Sequence, residues 1–154
     1  MTDQLIDKKQ KLLLSYLLSD RESFVRAYRI LKPEYFDAPL DRVVKVTLEH
    51  FTKYHNLPDL ELIEAETDVI LTEKDVEPAD RTFLLEEIEQ HCKDQAMSIA
   101  ILESVDLVEE GKLAEVQELV RKALLVKIDD SVGIAVVFGL LSIGVCVAFM
   151  IRRK

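Results

Sequence analysis

The chain has 154 residues, enough for one modest domain that buries about two-thirds of the surface exposed by its unfolded chain. It carries 20 Lys plus Arg against 29 Asp plus Glu, and three of the cations are the last three residues. The body up to Ser131 therefore has a net charge of −12, which disfavours tight binding of nucleic acid. Two cysteines are too few for a disulfide framework, and four glycines and four prolines are too few for a many-turned β protein, so we expect an all-α fold in a reducing compartment.

The leucine spacing predicts a first helix over residues 4–18, followed at once by a second helix. Ser19 and Glu22 have the spacing of a capping box, so we expect the second helix to begin there. Pro33 disfavours helix at Lys32, the residue before it, and therefore ends this element. The residues expected on the buried sides of these two helices are Leu13, Leu14, Leu17, Leu18, Phe24, Ala27, Tyr28 and Leu31.

A third helix is predicted from about Pro39 to His55, because its apolar residues recur at steps of three and four. Its expected buried side consists of Leu40, Val44, Leu48, Phe51 and Tyr54. The stretch "YHNLP" ends this helix, "DLELIEAE" predicts a short fourth helix, and "TEKDVEPAD" predicts a polar connection. Together these elements form a predicted small helical bundle over residues 1–79.

From Asp80 the periodicity lengthens and predicts one long helix to about Glu110. Gly111 is able to take the left-handed conformation that follows many helices, and a shorter helix returns after it, so residues 80–128 are predicted to form an antiparallel helical hairpin. The expected apolar stripes are Leu85, Ile88, Cys92, Ala96, Ile99 and Leu102 on the first helix, and Leu113, Val116, Val120 and Ala123 on the second. Neither helix can bury its whole apolar side on the other, so either the rest of the domain or an external partner covers the remainder.

The end of the chain, residues 129–154, has a different character. Residues 132–151 read "VGIAVVFGLLSIGVCVAFMI" without one charge, a length and composition that predict a transmembrane helix between an acidic flank and the basic tail. Small residues recur on one side of this helix, at Ala135, Gly139, Ser142 and Cys146. Such a stripe permits close helix–helix approach in lipid, although small residues are also common in spans that do not associate.

Two features of the sequence predict opposite orientations for this span. The basic tail favours a cytoplasmic C-terminus, whereas the polar N-terminus "MTDQLIDKKQ" has no signal to export an acidic domain. We expect a tail-anchored membrane protein whose residues 1–131 lie in the cytoplasm, and a cytoplasmic protein if residues 132–151 do not span a membrane.

The sequence lacks the patterns of the common catalytic sites. It has no G-x-x-x-x-G-K-[ST] phosphate-binding loop. His50 and His55 fall on different sides of a helix, His91 and Cys92 point apart, and the carboxylates lie beside Lys or Arg on solvated faces. We therefore expect no catalytic, cofactor-binding or metal-binding residues in this chain, and not an enzyme.

The ordered motifs "LLLSYLLSD", "ILKPEYF" and "DRVVKVTLEHFTKYHNLP" resemble the N-terminal domain of DnaB-type replicative DNA helicases, most nearly those of tailed phages. Further on, "EEIEQHCKDQAMSIAI" is similar to the start of that family's helical hairpin, and "ALLVKIDDSVG" to its exit towards the linker. The resemblance covers about residues 8–133. Beyond Gly133 the family continues into a RecA-like ATPase, and here the hydrophobic segment takes its place.

In the helicase family this domain forms a helical collar whose hairpins pair and which docks primase or a helicase loader. The resemblance therefore implies self-association through the hairpin, with a replicative helicase, primase or loader as further partners and no direct contact with nucleic acid. The residues it assigns to hairpin packing or pairing are Leu85, Ile88, Ile99, Leu102, Leu113, Val116 and Val120.

Three functions fit these observations. The first is a helicase-type interaction and oligomerisation domain in DNA replication, tethered to a membrane and without its own motor. The second is a small tail-anchored adaptor unrelated to replication. The third is a truncated replicative helicase, or a subunit whose motor is encoded separately.

Overall fold

The computed structural model describes residues 2–128, with side chains from Lys8 onward. Within this range the chain is all-α and has no strand, which confirms the all-α part of the predicted fold. Six α-helices and one short 3₁₀ helix follow one another: α1 (Thr2–Ser19), α2 (Arg21–Ala27), the 3₁₀ helix (Pro33–Tyr35), α3 (Leu40–Tyr54), α4 (Leu60–Thr67), α5 (Asp80–Glu109) and α6 (Leu113–Leu124).

None of the helices in residues 2–128 is long and apolar enough to cross a bilayer. The predicted transmembrane helix over 132–151 lies outside the described residues, as do its acidic flank, the basic tail and the small-residue stripe.

One hydrophobic core joins the bundle to the first half of α5. Its largest fully buried side chains include Phe24, Leu14, Leu17, Leu40, Ile63 and Ile88. Helix α5 packs on α1, α2, the 3₁₀ helix and α6 and is therefore the central element. It belongs both to the core and to the hairpin, and the division of the chain at residue 79 stays a prediction.

The aromatic turn after α2 closes this core. Pro33 opens the 3₁₀ helix, which suits its fixed φ, and Tyr35 and Phe36 are 4% and 5% exposed. Gln10, only 2% exposed, clamps the turn to α1: its Nε2 donates to Asp37 Oδ2 at 2.7 Å, and its Oε1 accepts the Asp37 N–H at 2.9 Å. A buried amide satisfied on both sides fixes the position of the turn rather than destabilising the core.

The predicted capping box at the start of α2 is wrong by one residue. Asp20 is the N-cap, and its carboxylate accepts the backbone N–H of Ser23 at 3.1 Å. Ser19 instead ends α1, where its hydroxyl donates to the Ser15 carbonyl and accepts the N–H of Lys74. Ser19 and Asp20 are adjacent candidate caps. The N-cap is Asp20, whose carboxylate also pairs with the distant Arg81.

Arg81 fastens the start of α5 to the junction between α1 and α2. Its guanidinium donates to both oxygens of Asp20, at 3.0 and 3.2 Å, and to Glu22 at 2.6 Å. Partial burial opposes ionisation of Asp20, but the hydrogen bonds from Ser23 and Arg81 prevail and hold the pKa of this carboxyl below its usual value. The pair therefore connects segments about sixty residues apart in the chain.

Predicted stripes on four helices need correction. Tyr28, just after α2, and Leu113 on α6 are 37% and 66% exposed instead of buried. Tyr54 at the end of α3 is 57% exposed, while Val43 and Thr47 take the buried side. On α5 the buried residues run Leu84, Leu85, Ile88, Cys92, Ala96 and Ala100. Leu102, expected in this row, lies two residues and about 200° of helix turn past Ala100 and is 72% exposed. A spacing of three and four residues does not decide whether Ala100 or Leu102 is buried. Packing of α5 against the bundle and α6 buries Ala100.

The hairpin itself is confirmed. Gly111 has φ 73°, and its N–H donates to the Val108 carbonyl, while the N–H of Lys112 donates to the Leu107 carbonyl. After α6 the chain folds back onto α5, where Ile128 is buried and its N–H donates to Glu89 at 2.8 Å.

Candidate functional site on the helical hairpin

The outer half of the hairpin exposes an unusual number of large apolar side chains. Each is more than half exposed. We call this set the apolar face: Ile101, Leu102, Val105, Val108, Leu113 and Leu124. Ile101, Val105 and Val108 follow the helical repeat on the side of α5 opposite its buried residues. The second half of α5 is therefore apolar on two sides, and the body of the protein covers only one of them.

The other flank of the hairpin is acidic. A groove of about 620 Å³ runs between α5 and α6 and is lined by Glu103, Asp106, Glu115 and Glu118, with Lys122 at its end. Arg121 donates to both oxygens of Glu118 at 2.7 Å, and this lowers the pKa of Glu118. The hairpin thus presents an apolar side and an acidic side.

A second concavity has the opposite charge. It lies where residues 29–35 meet α5 and the end of α6, has a volume of about 600 Å³, and is lined by Arg29, Lys32, Lys122 and Lys127. We call it the basic cleft. Nothing in the local sequence indicates it, because its cations come from segments about a hundred residues apart.

The seven residues predicted for hairpin packing or pairing fall into three environments. Leu85 and Ile88 lie in the core, at 5% and 0% exposure, and hold α5 on the bundle. Ile99, Val116 and Val120 are half-buried. Leu102 and Leu113 are exposed and belong to the apolar face. The structure therefore brings together only part of the predicted set, and adds four residues that sequence reasoning missed: Ile101, Val105, Val108 and Leu124.

His91 and Cys92 pack in and beside the hydrophobic core, and their surroundings are those of structural residues. His91 Nε2 lies 2.8 Å from the Tyr35 carbonyl, and its ring centre is 4.9 Å from that of Phe36. Burial lowers the pKa of His91 and raises the pKa of the Cys92 thiol to about 12. A thiol with such a pKa is almost entirely protonated at neutral pH, so it is a poor nucleophile and a poor metal ligand.

In the part of the chain that the structure describes, no three His, Cys, Asp or Glu side chains come close enough together to hold a metal ion. The chain matches no protein-family model, no curated protein and no solved structure. Function is therefore inferred from the surfaces described above.

Proposed function

We propose that this chain is a protein-interaction module that self-associates through its helical hairpin, in the manner of the collar domain of DnaB-type replicative helicases. The apolar face carries the proposal. The motif order from "LLLSYLLSD" to "ALLVKIDDSVG" supports the helicase relationship, and the uncharged segment 132–151 supports a membrane tether. The proposal assigns no catalysis and no cofactor to the chain.

The energetics of the apolar face favour a protein partner. Complete burial of a Val, Leu or Ile side chain is worth roughly 1.5–3 kcal/mol. Because each residue here is between 52% and 72% exposed, pairing gains somewhat more than half of that for each. Ile101, Val105 and Val108 lie on one side of α5, and together with Leu113 and Leu124 of α6 they supply the apolar centre that a stable interface needs. A second hairpin presents the same face, so an isologous dimer buries both at once.

The net charge of the body opposes this pairing. Two copies, each with a body charge of −12, repel one another, and added salt screens that repulsion. We therefore expect hairpin pairing to strengthen as the salt concentration rises from about 50 to 300 mM.

The test is a pair of substitutions in the full chain, Ile101→Asp with Leu113→Asp, studied by sedimentation velocity in a nonionic detergent. We expect the dimer of the wild type to be lost, because the change places four carboxylates in the paired interface. Leu12→Asp is the control: Leu12 is 48% exposed on α1 and lies outside the apolar face, so we expect the dimer to survive. A monomeric wild type, or an unchanged dimer in the double variant, would refute hairpin pairing.

Partner capture separates the replication role from the adaptor role. Immobilised full chain is offered a purified replicative helicase and a purified primase, with the Ile101→Asp, Leu113→Asp variant as the control surface. Binding of either protein supports the helicase relationship. A protein that fractionates with membranes and binds neither supports the alternative of a tail-anchored adaptor unrelated to replication.

A further inference from the structure

The basic cleft reverses the charge of the surrounding molecule. Four cationic side chains, Arg29, Lys32, Lys122 and Lys127, line it together with two carboxylates, Glu34 and Glu103. Two further carboxylates act from outside the lining, Glu118 on Lys122 and Glu89 on Lys127. The body around it carries a net charge of −12. A local patch of opposite sign on a strongly charged protein selects for an anionic partner.

The floor of the cleft is apolar. Ile30 and Tyr35 are buried at its base, and Ile99, Leu119 and Val126 are half-buried along it. A volume of about 600 Å³ lies within the range of sites that accept small ligands or the side chains of a docked segment. The complementary ligand therefore has an apolar side chain flanked by carboxylates.

The cations of the cleft are only partly neutralised by the protein itself. Lys32 Nζ lies 3.4 Å from Glu34, and Lys122 Nζ lies 3.9 Å from Glu118. Arg29 and Lys127 form no ion pair within residues 2–128. Lys127 interacts electrostatically with Glu89 without a direct ion pair, so both side chains can still pair with an external carboxylate.

An apolar side chain flanked by carboxylates is present on helix α4 of the same molecule. This helix turns Ile63 and Thr67 into the core and exposes the opposite side. We call that side the acidic ridge: Glu61, Leu62, Ala65 and Glu66. Leu62 is 41% exposed between carboxylates that have no cationic partner among the described side chains. The ridge does not line the cleft of its own copy.

We propose that the acidic ridge of one copy docks into the basic cleft of a second copy. Leu62 enters the apolar floor, and Glu61 and Glu66 pair with the cations at its rim, above all Arg29 and Lys127. The two surfaces differ, so the contact is heterologous and each copy offers one of each. Repetition of such a contact adds copies head to tail and closes into a ring if the rotation permits.

This contact is independent of hairpin pairing. It uses none of the residues of the apolar face, and it joins copies whether or not their hairpins pair. With both contacts present, the protein assembles beyond a dimer.

Charge reversal in the full chain tests the proposal. Arg29→Glu with Lys127→Glu alters the cleft, Glu61→Lys with Glu66→Lys alters the ridge, and a fourfold variant combines both. We expect each double variant to lower the association constant for assembly beyond the dimer by roughly tenfold or more, because like charges then face each other in the contact. We expect the fourfold variant, and an equimolar mixture of the two double variants, to recover it.

The matched control for the cleft variant is Arg42→Glu with Lys45→Glu. It changes the net charge by the same amount as Arg29→Glu with Lys127→Glu, but on the exposed side of α3. Sedimentation velocity measures assembly, and circular dichroism confirms that every variant keeps its helix content. An equal loss in this control, or a fourfold variant that does not recover, would overturn the proposal, as would a wild type that never exceeds a dimer.

The same series on the Ile101→Asp, Leu113→Asp background separates this contact from hairpin pairing. Head-to-tail association that persists there and responds to charge reversal supports the ridge-and-cleft contact, even if hairpin pairing is wrong. Loss of hairpin pairing with no response to charge reversal leaves the proposed function standing and removes this inference.

Discussion

His91 links the central helix α5 to the aromatic turn. Because its Nε2 faces the Tyr35 carbonyl at 2.8 Å, this nitrogen carries the proton and donates. Burial disfavours the charged imidazolium and lowers the pKa, against the opposing effect of the carbonyl, which favours it. The neutral ring is therefore the form that the folded protein accommodates.

This lowered pKa makes the free energy of unfolding depend on pH in a defined direction. The unfolded chain binds a proton on His91 near pH 6.5, before the folded protein does, so stability is fully present above that pH and is lost as the pH falls towards the folded value. Urea unfolding at pH 7.5 and 5.5 measures the loss. We expect a smaller loss in His91→Gln, whose amide still donates to the carbonyl, and an unchanged loss in the control Gln117→Asn, which changes an exposed residue that does not titrate. Equal losses in all three proteins would contradict this account.

Among the helical elements, the connection between α5 and α6 depends on one glycine. A Cβ built at Gly111 meets no atom within 4 Å, so space does not require glycine there. The requirement comes from the positive φ of 73°, which places the Cβ of other residues against the backbone. The tight turn is what returns α6 along α5, and it therefore also creates both flanks of the hairpin.

Gly111→Ala is expected to lower the free energy of unfolding by about 1 kcal/mol, the usual cost of a left-handed conformation for a residue with a side chain. Urea denaturation followed by circular dichroism measures the change. Lys112→Ala is the control, because Lys112 has an ordinary φ of −84° and is exposed, and we expect little effect from it. A neutral or stabilising Gly111→Ala would show that the turn does not adopt this conformation in solution.

For the molecule as a whole, the path of the chain after α6 determines where the C-terminal segment is attached to the folded body. The backbone N–H of Ile128 donates to Glu89, about a third of the way along α5, whereas the hairpin turn is at Gly111, beyond the end of α5. At 1.5 Å rise per residue, about 30 Å of helix separates the two points. A proposed tether that begins after Ile128 is therefore attached to α5 about 30 Å from the hairpin turn.

The proposed membrane tether predicts that charge introduced into residues 132–151 releases the protein from membranes. When the full chain is expressed in cells, we expect it to remain with membranes after alkaline extraction, and we expect Val137→Arg with Leu140→Arg to be released. Each arginine near the centre of a span costs roughly 2.5–3.5 kcal/mol of insertion free energy. Val137→Leu with Leu140→Val keeps the segment apolar and should stay with the membrane. A wild type found in the soluble fraction would end this part of the proposal.

The existence, order and type of the helices followed from local pattern. Pro33, Gly111 and the three- and four-residue spacing of apolar residues act within a few positions of one another, so they predicted an all-α chain with a hairpin. The same reasoning failed at Ser19, where two adjacent residues were both suitable caps. The choice of Asp20 depended on Arg81, which lies far along the chain and was invisible to local pattern.

Helix formation is largely a local event, and the amino-acid sequence alone was sufficient to predict the six α-helices of residues 2–128, although not the limits of α2, which begins at Arg21 and ends at Ala27. Which apolar residues turn inward was settled by packing, because α5 is apolar on two sides and only contact with the bundle and α6 selects Ala100 over Leu102. The basic cleft likewise exists only after folding, since Arg29 and Lys127 meet through the return of the chain along α5. Surfaces assembled from distant segments have no signature in any one segment, and here they carry the proposed functions.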